Sequence, residues 1–373
     1  MAGQLRTDVQ IIDAHTHLET TQPEAVEVML EQEASCGVES MNLLMLSLPS
    51  TGYVNTNPEG FYAKWRHPER IYLFAALDYT PLGADVDLRL ACSLPEQVRR
   101  FWAMGCDGMK MLTGKPNYRK ESGLALDSIV FEPYFACLEA LQVPLLWHVG
   151  DPEEFWDPEL VPQWAKESGW AYDSSFPSKE AIYAECHHVL ERHPKLQVIF
   201  AHFHFLSDDL PRAAALLDRF PNVCLDLTPG TEMYRNFSKR PDETRDFFLK
   251  YHDRLLMGSD FMSRGEISPL LLVRHFLEME GQFAHAELEQ PAQGIALPLD
   301  SLKRIYAGNY QRIASPRPRP LNESLVLAEL DRIAALQDQL GAPRNTARFF
   351  ATLISGGLPT DWERESIFDG LML

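Results

Sequence analysis

Up to about residue 315 the chain repeats one pattern, a short β-branched or apolar run followed by a longer amphipathic stretch. The runs are VQIIDAH (9–15), VESMNLLML (38–46), IYLFAALD (71–78), CDGMKML (106–112), VPLLWHV (143–149), LQVIFAH (196–202), NVCLDL (222–227) and RLLMGSD (254–260). Their composition and length mark them as buried strands. The stretches 22–36, 56–66, 95–104, 132–141, 179–193, 208–219 and 242–252 are bounded by Pro, Gly, Asp or Ser and read as helices. Continuous apolar strands joined by seven helical crossovers predict a parallel sheet covered by helices. Eight such units predict an α/β fold closed into a (β/α)8 barrel of the TIM type rather than an open sheet. No G-x-G-x-x-G or Walker-type loop follows a strand, so the main nucleotide-binding alternative is excluded.

Two segments break the repeat. Residues 150–178 carry Trp156, Trp164 and Trp170 among Asp, Pro and Glu. A connection of this length in a compact domain is usually functional or disordered, and the aromatic content predicts an ordered lid-like insertion. The second break is SPRPRP (315–320), after which helical stretches are expected near 321–340 and 344–356. The expected organisation is a catalytic barrel over 1–315 and a helical C-terminal extension over 316–373, packed on the barrel or on a neighbouring subunit.

Fifty-three acidic residues against 34 basic ones give a net charge of −19. That balance disfavours phosphate backbones and anionic membranes, so no nucleic-acid or membrane partner is expected. No apolar run approaches the roughly 20 residues needed to span a bilayer, and MAGQLRTDVQ has no apolar secretory core. A cytoplasmic location is expected. The six cysteines, Cys36, Cys92, Cys106, Cys137, Cys186 and Cys224, form no C-x-x-C pair and are expected to be reduced and mostly buried.

In a strand, residues two apart point to the same side about 7 Å apart, so His15 and His17 can converge on one ion. An isolated H-x-H carries little weight. The reading gains strength because Lys110, His148, His202 and Asp260 stand at the C-terminal ends of other strands, on the rim where barrel enzymes place their active sites. An Asp after an apolar run is costly to bury without a partner, and a cation is the natural one for Asp260. Against each reading stands a bland one. Lys110 fits an ordinary strand-end lysine equally well; a satisfied core histidine stands against His148, where the apolar run ending in GDP turn residues favours the ligand reading; and one of His202 and His204 reads as an outer residue. His67, His187, His188, His193, His252, His275 and His285 fall on helices or their flanking turns and read as structural or solvated.

The segments IIDAHTHLE, GMKML, PLLWHVGDP, VIFAHFHF, LLMGSDF and IYAGNYQRI, spread over residues 9–313, together resemble the amidohydrolase superfamily. Within it the similarity is to the branch of metal-dependent hydrolases and aminocarboxymuconate-semialdehyde or resorcylate-type decarboxylases. The resemblance implies that His15, His17, His148 and Asp260 ligate a divalent metal. It further implies that His202 binds a second ion or moves a proton and polarises substrate. Lys110 matches a position that some members carboxylate to bridge two metals. Members often carry a small residue, commonly glycine, two positions after the strand-six histidine; here His204 stands there and would reshape the pocket. Residues from Pro316 onward lie outside the resemblance, and its members are commonly dimers.

The expected chemistry is hydrolysis of a small amide, lactone or ester. A divalent cation, with zinc foremost and manganese or iron as alternatives, in one or two copies, lowers the pKa of bound water from 15.7 to about 7. Asp260 would take the proton and return it to the leaving group, and His202 would stabilise the oxyanion. Trp156 and His204 are candidate substrate contacts. Arg119, Lys115 and Arg264 are candidate grips for a substrate carboxylate, although each alone reads first as a solvated surface charge. The alternative is non-oxidative decarboxylation of an aromatic or muconate-like acid on the same residues. A barrel holding a structural metal is the third reading, disfavoured because structural zinc sites are usually closed and cysteine-rich.

Overall fold

The computed structural model describes residues 5–48, 51–83, 86–87, 89–230 and 232–358. Seven parallel strands follow one another around the molecule: β1 (Ile12–His17), β2 (Ser40–Leu44), β3 (Ile71–Ala76), β4 (Gly108–Gly114), β5 (Leu145–Val149), β6 (Val198–Phe200) and β7 (Val223–Asp226). The eighth position is filled by two short pieces. Leu255–Leu256 (β8) pairs with β7, and Phe261–Met262 (β9) pairs with β1. Hydrogen bonds from Ala14 N to Met257 O and from Asp260 N to His15 O bridge the break and close the barrel. All eight expected runs form strands, and a TIM-type (β/α)8 barrel is the architecture.

Alternation along the strands divides the core into two layers. Ile12, Ala14, Leu44, Phe74, Leu146 and Ile199 fill the barrel interior. The helix Asn309–Ile313 plugs one end, its Tyr310 ring meeting Tyr72 edge-on at 4.9 Å. The opposite faces of the strands form the larger layer beneath the helices. All seven expected helices are present, within one to three residues at their ends. The helix Ser268–Glu278 and the antiparallel pair Glu280–Phe283 and Ala292–Ile295 are additional. SPLLLVRHFLE is nearly continuous in apolar residues, which hides its helical period.

Two further helices, Glu323–Gln339 and Thr346–Ile354, form the described part of the C-terminal extension; residues 359–373 fall outside the described residues. The extension packs on the helices Asn57–Arg66 and Leu94–Met104. Buried Arg332 pins it there, reaching Asp78 Oδ2 at 2.9 Å beyond the end of β3 and Glu329 Oε1 at 2.7 Å. All six cysteines are free and buried. No described helix is long and apolar enough to cross a membrane.

Candidate active site

β1 ends in His15 and His17, both buried. The register of its pairing with β2 shifts between Asp13 and Thr16, the interval that contains His15. His15 Nδ1 bonds Asp226 Oδ2 at 2.8 Å, and His17 Nδ1 bonds the Leu44 carbonyl at 3.0 Å. These partners occupy both Nδ1 atoms and turn both Nε2 atoms toward one point, 3.2 Å apart.

Asp260 completes that point, with Oδ1 3.4 Å from His15 Nε2 and 3.3 Å from His17 Nε2. It sits in the break between β8 and β9 at φ +60°, a left-handed conformation unusual for a residue with a side chain. The neighbouring Gly258 is required by space, since a Cβ there would lie 2.4 Å from Thr228 Oγ1 and 3.1 Å from His15 Cβ. Asp13 Oδ1 fixes the same turn by accepting from Ser259 N and His15 N.

Donor atoms of His15, His17 and Asp260 lie within 4.8 Å of one another. Burial, reinforced by the Lys110 charge, pulls His15 well below the usual imidazole range and keeps it neutral. Burial alone would raise Asp260, but the His17 hydrogen bond and the facing imidazoles hold its carboxyl well below the carboxylate range. Two imidazoles whose Nδ1 atoms are taken by other partners, together with one carboxylate, form a donor set that fits a divalent cation.

Lys110, buried on β4, brings Nζ to 3.5 Å from His15 Nε2. Desolvation lowers its pKa to about 8 against the opposing pull of Asp260 and Asp226. His202 lies on the same side, its ring 5.3 Å from that of His15 and 5.1 Å from that of His148. Burial draws it down to about 4, and its buried Nδ1 has no hydrogen-bond partner among the described residues. His202 opens a run of four left-handed residues, His202–Phe205, with φ between 49° and 55°. Each such residue costs on the order of 1–3 kcal/mol. Asp226 holds the start of the run by accepting from His202 N at 2.8 Å.

His148 stands apart from the three-residue set. Its Nε2 faces Asp151 Oδ1 at 3.2 Å, and Asp151 in turn accepts the Tyr172 hydroxyl. The pair links β5 to the 150–178 segment, which is ordered around its own core of Phe155, Val161, Ala165 and Tyr172. Phe155, Trp164 and Trp170 of this segment line a cavity of about 370 Å³ whose floor is His15, His17, Lys110, His148, His202 and Asp260. Buried Lys115 also lines it, with Nζ 3.5 Å from the centre of the Trp170 ring. Burial lowers its pKa against the attraction of Asp151.

The remaining sequence candidates fall elsewhere. His204 is sandwiched between the rings of Tyr183 and Phe200, at 4.4 and 4.0 Å, and does not line the cavity. Trp156 donates its indole N–H to Pro177 O and borders a neighbouring depression. Arg119 is engaged by Glu185 through two 2.9 Å bonds. Arg264 is exposed and outside the lining. Sequence reasoning passes over Asp226, Asp151 and Tyr118. Asp226 closes a strand in the run NVCLDL, the same strand-end position that singles out the other candidates.

A family model described as amidohydrolase matches residues 12–313. The chain belongs to the amidohydrolase family. No curated protein matches this amidohydrolase. Among solved structures it is similar to an uncharacterised TIM-barrel protein of Bordetella bronchiseptica, at 14% identity and TM-score 0.52, over 83% of this chain and 99% of that one. It is also similar to a 2,6-dihydroxybenzoate decarboxylase complexed with 2,6-dihydroxybenzoate, at 16% identity and TM-score 0.50, over 82% and 98% of the two chains. A third is 4-oxalomesaconate hydratase from Rhodopseudomonas palustris, at 14% identity and TM-score 0.50, over 82% and 96%. At these identities the likeness establishes the fold.

Proposed function

We propose that this amidohydrolase is a metal-dependent hydrolase of a small amide, lactone or ester that carries a carboxylate. The observation that carries the reading is the convergence of His15 Nε2, His17 Nε2 and Asp260 Oδ1 on one point beneath an aromatic-walled cavity. A divalent cation bound by this set, zinc foremost, supplies Lewis acidity and acidifies water. Asp260, the one carboxylate of the set, accepts the proton of the attacking water and returns it to the leaving group. Lys110 and the neutral His202 face the same space and stabilise negative charge as it develops on the carbonyl oxygen. Lys115 holds the substrate carboxylate, and Phe155, Trp164 and Trp170 form a lid that excludes bulk water.

The test uses purified enzyme with its metal content measured, assayed against amides, lactones and esters with and without a carboxylate. Loss of turnover after chelation, restored by added zinc, is the expected result. Full turnover after verified metal removal overturns the reading.

Non-oxidative decarboxylation of an aromatic or muconate-like acid is the second reading. It is favoured by two buried lysines, Lys110 and Lys115, lining a cavity that has a single three-residue donor set among the described residues. Carbon dioxide release from hydroxybenzoates and muconates, without turnover of any hydrolysable carbonyl, would select it.

A further inference from the structure

The helix Ala25–Ser35 turns Val26, Met29, Leu30 and Glu33 into the core, the spacing of one continuous helical face. Glu33 therefore stands where packing alone would place an apolar residue. Its side chain is fully buried, and neither carboxyl oxygen receives a hydrogen bond from an N–H or hydroxyl group among the described residues. What it meets is a second buried carboxyl, since Glu33 and Asp13 are within hydrogen-bond reach of each other. Arg70 exerts a weaker pull on Glu33, and its guanidinium bonds the Glu39 and Leu30 carbonyls at 3.1 and 3.3 Å.

Two carboxyls bond to each other only if one of them keeps its proton. Asp13 is the natural acceptor, because its Oδ1 already takes the N–H groups of His15 at 3.0 Å and Ser259 at 3.1 Å. Burial and the Asp13 charge push Glu33 well above its usual range, whereas burial raises Asp13 only to about 6 against the Ser259 hydroxyl and these N–H groups. Ile12 and Ala14 point into the barrel, so Asp13 between them faces the helix layer. Ser259 lies in the break between β8 and β9, flanked by the bonds Ala14 N to Met257 O and Asp260 N to His15 O. Asp13 thus stands in for a strand carbonyl across the break and ties His15 to the turn that carries Asp260.

We propose that Glu33 is a positioning residue of the active site: as a neutral acid it donates to the Asp13 carboxylate, and through Asp13 it aligns His15 and Asp260. That the aligned residues hold a metal rests on the proposed function; the hydrogen-bond relay does not. Without the Glu33 donor, the buried Asp13 charge takes up a proton or turns toward another donor. Either change weakens its hold on the two backbone N–H groups. A plain packing role predicts the opposite, because an apolar side chain of similar size would leave both groups undisturbed.

Glu33→Met keeps the volume and the helix propensity and removes the donor; Glu33→Gln retains one. Competition against a chromogenic chelator is expected to show zinc affinity lowered about tenfold in Glu33→Met and within about threefold of the parent in Glu33→Gln. In the metal-free proteins, peptides containing His15 and Ser259 are expected to exchange their amide hydrogens faster in Glu33→Met alone, with melting temperatures close to the parent's. The infrared difference between parent and Glu33→Gln at neutral pH should show the loss of one protonated-carboxyl band; subtraction cancels the contribution of Glu59. That spectrum decides where the proton lies whether or not Glu33→Met folds, and no lost band overturns the proposal. A folded Glu33→Met with the parent's zinc affinity and amide exchange overturns it as well. A parent that binds no zinc, with accelerated exchange in Glu33→Met, overturns the metal site and leaves the relay standing.

Discussion

Asp226 holds two of the site's histidines at once: Oδ2 lies 2.8 Å from His15 Nδ1, and Oδ1 accepts His202 N–H at 2.8 Å. By taking the Nδ1 proton of His15 it fixes the tautomer whose Nε2 lone pair faces His17 and Asp260. It also anchors the first residue of the left-handed run His202–Phe205. Asp226→Asn retains the shape but removes the charge and allows the amide to present a donor to His15. Metal affinity is expected to fall about 10- to 100-fold, the usual loss when a partner behind a ligating histidine is changed. Competition against a chromogenic chelator measures it; unchanged affinity would show that Asp226 has no part in orienting His15.

Lys115 and Lys110 line the same cavity, but only Lys110 approaches the histidine pair. Lys115 lies against Trp170, where an ammonium gains from the ring face while remaining available to an anion. Lys115→Met preserves much of the stem's packing and deletes the charge. For a carboxylate-bearing substrate, KM is expected to rise about tenfold or more, in line with about 1.5–3 kcal/mol for a charge-assisted hydrogen bond. The matching ester or amide without the carboxylate should show almost no change. Equal effects on both would assign Lys115 to supporting the lid instead.

The barrel is legible in the sequence because each of its strands is a continuous apolar run, and burial on both faces permits little else. The H-x-H of β1 is legible for the same local reason, a spacing of two at a strand end. Asp226 is different, because its importance lies in a bond to His15, 211 residues away. His148 shows a subtler limit. Its place on β5 follows from the pattern, but the direction of its ring depends on Asp151, which Tyr172 holds from across the insertion. His204 stands two residues from His202, yet the left-handed turn places it between Tyr183 and Phe200 rather than on the cavity wall. Four consecutive positive φ values at residues other than glycine have no signature in composition or period.

The Tyr172 hydroxyl is the latch between the 150–178 segment and the cavity floor, since its acceptor Asp151 also contacts His148. Tyr172→Phe keeps the ring in the cluster with Trp156 and Phe176 while leaving Asp151 one donor short. Cleavage of this segment under limited proteolysis is expected to accelerate severalfold, with global melting almost unchanged because the barrel core is untouched. Protection equal to the parent's would place the latch in the aromatic packing rather than in the hydroxyl.

Glu59, on the helix Asn57–Arg66, is fully buried, and neither carboxyl oxygen has a hydrogen-bond partner among the described residues. Burial raises its pKa from 4.5 to about 8. Between those values the folded protein holds a proton that the unfolded chain releases, so stability decreases as pH rises through the window. The slope from this one group is at most about 1.4 kcal/mol per pH unit. It should vanish above pH 8, where both states are ionised, and below 4.5, where both are protonated. Glu59→Gln keeps the volume and removes the titration, so its denaturant-derived stability should lose this component of the pH dependence and exceed that of the parent at pH 8. A variant whose stability follows the parent's pH profile between pH 5 and 8 would show that Glu59 is ionised in the folded protein, with its charge met by a group that approaches it in solution.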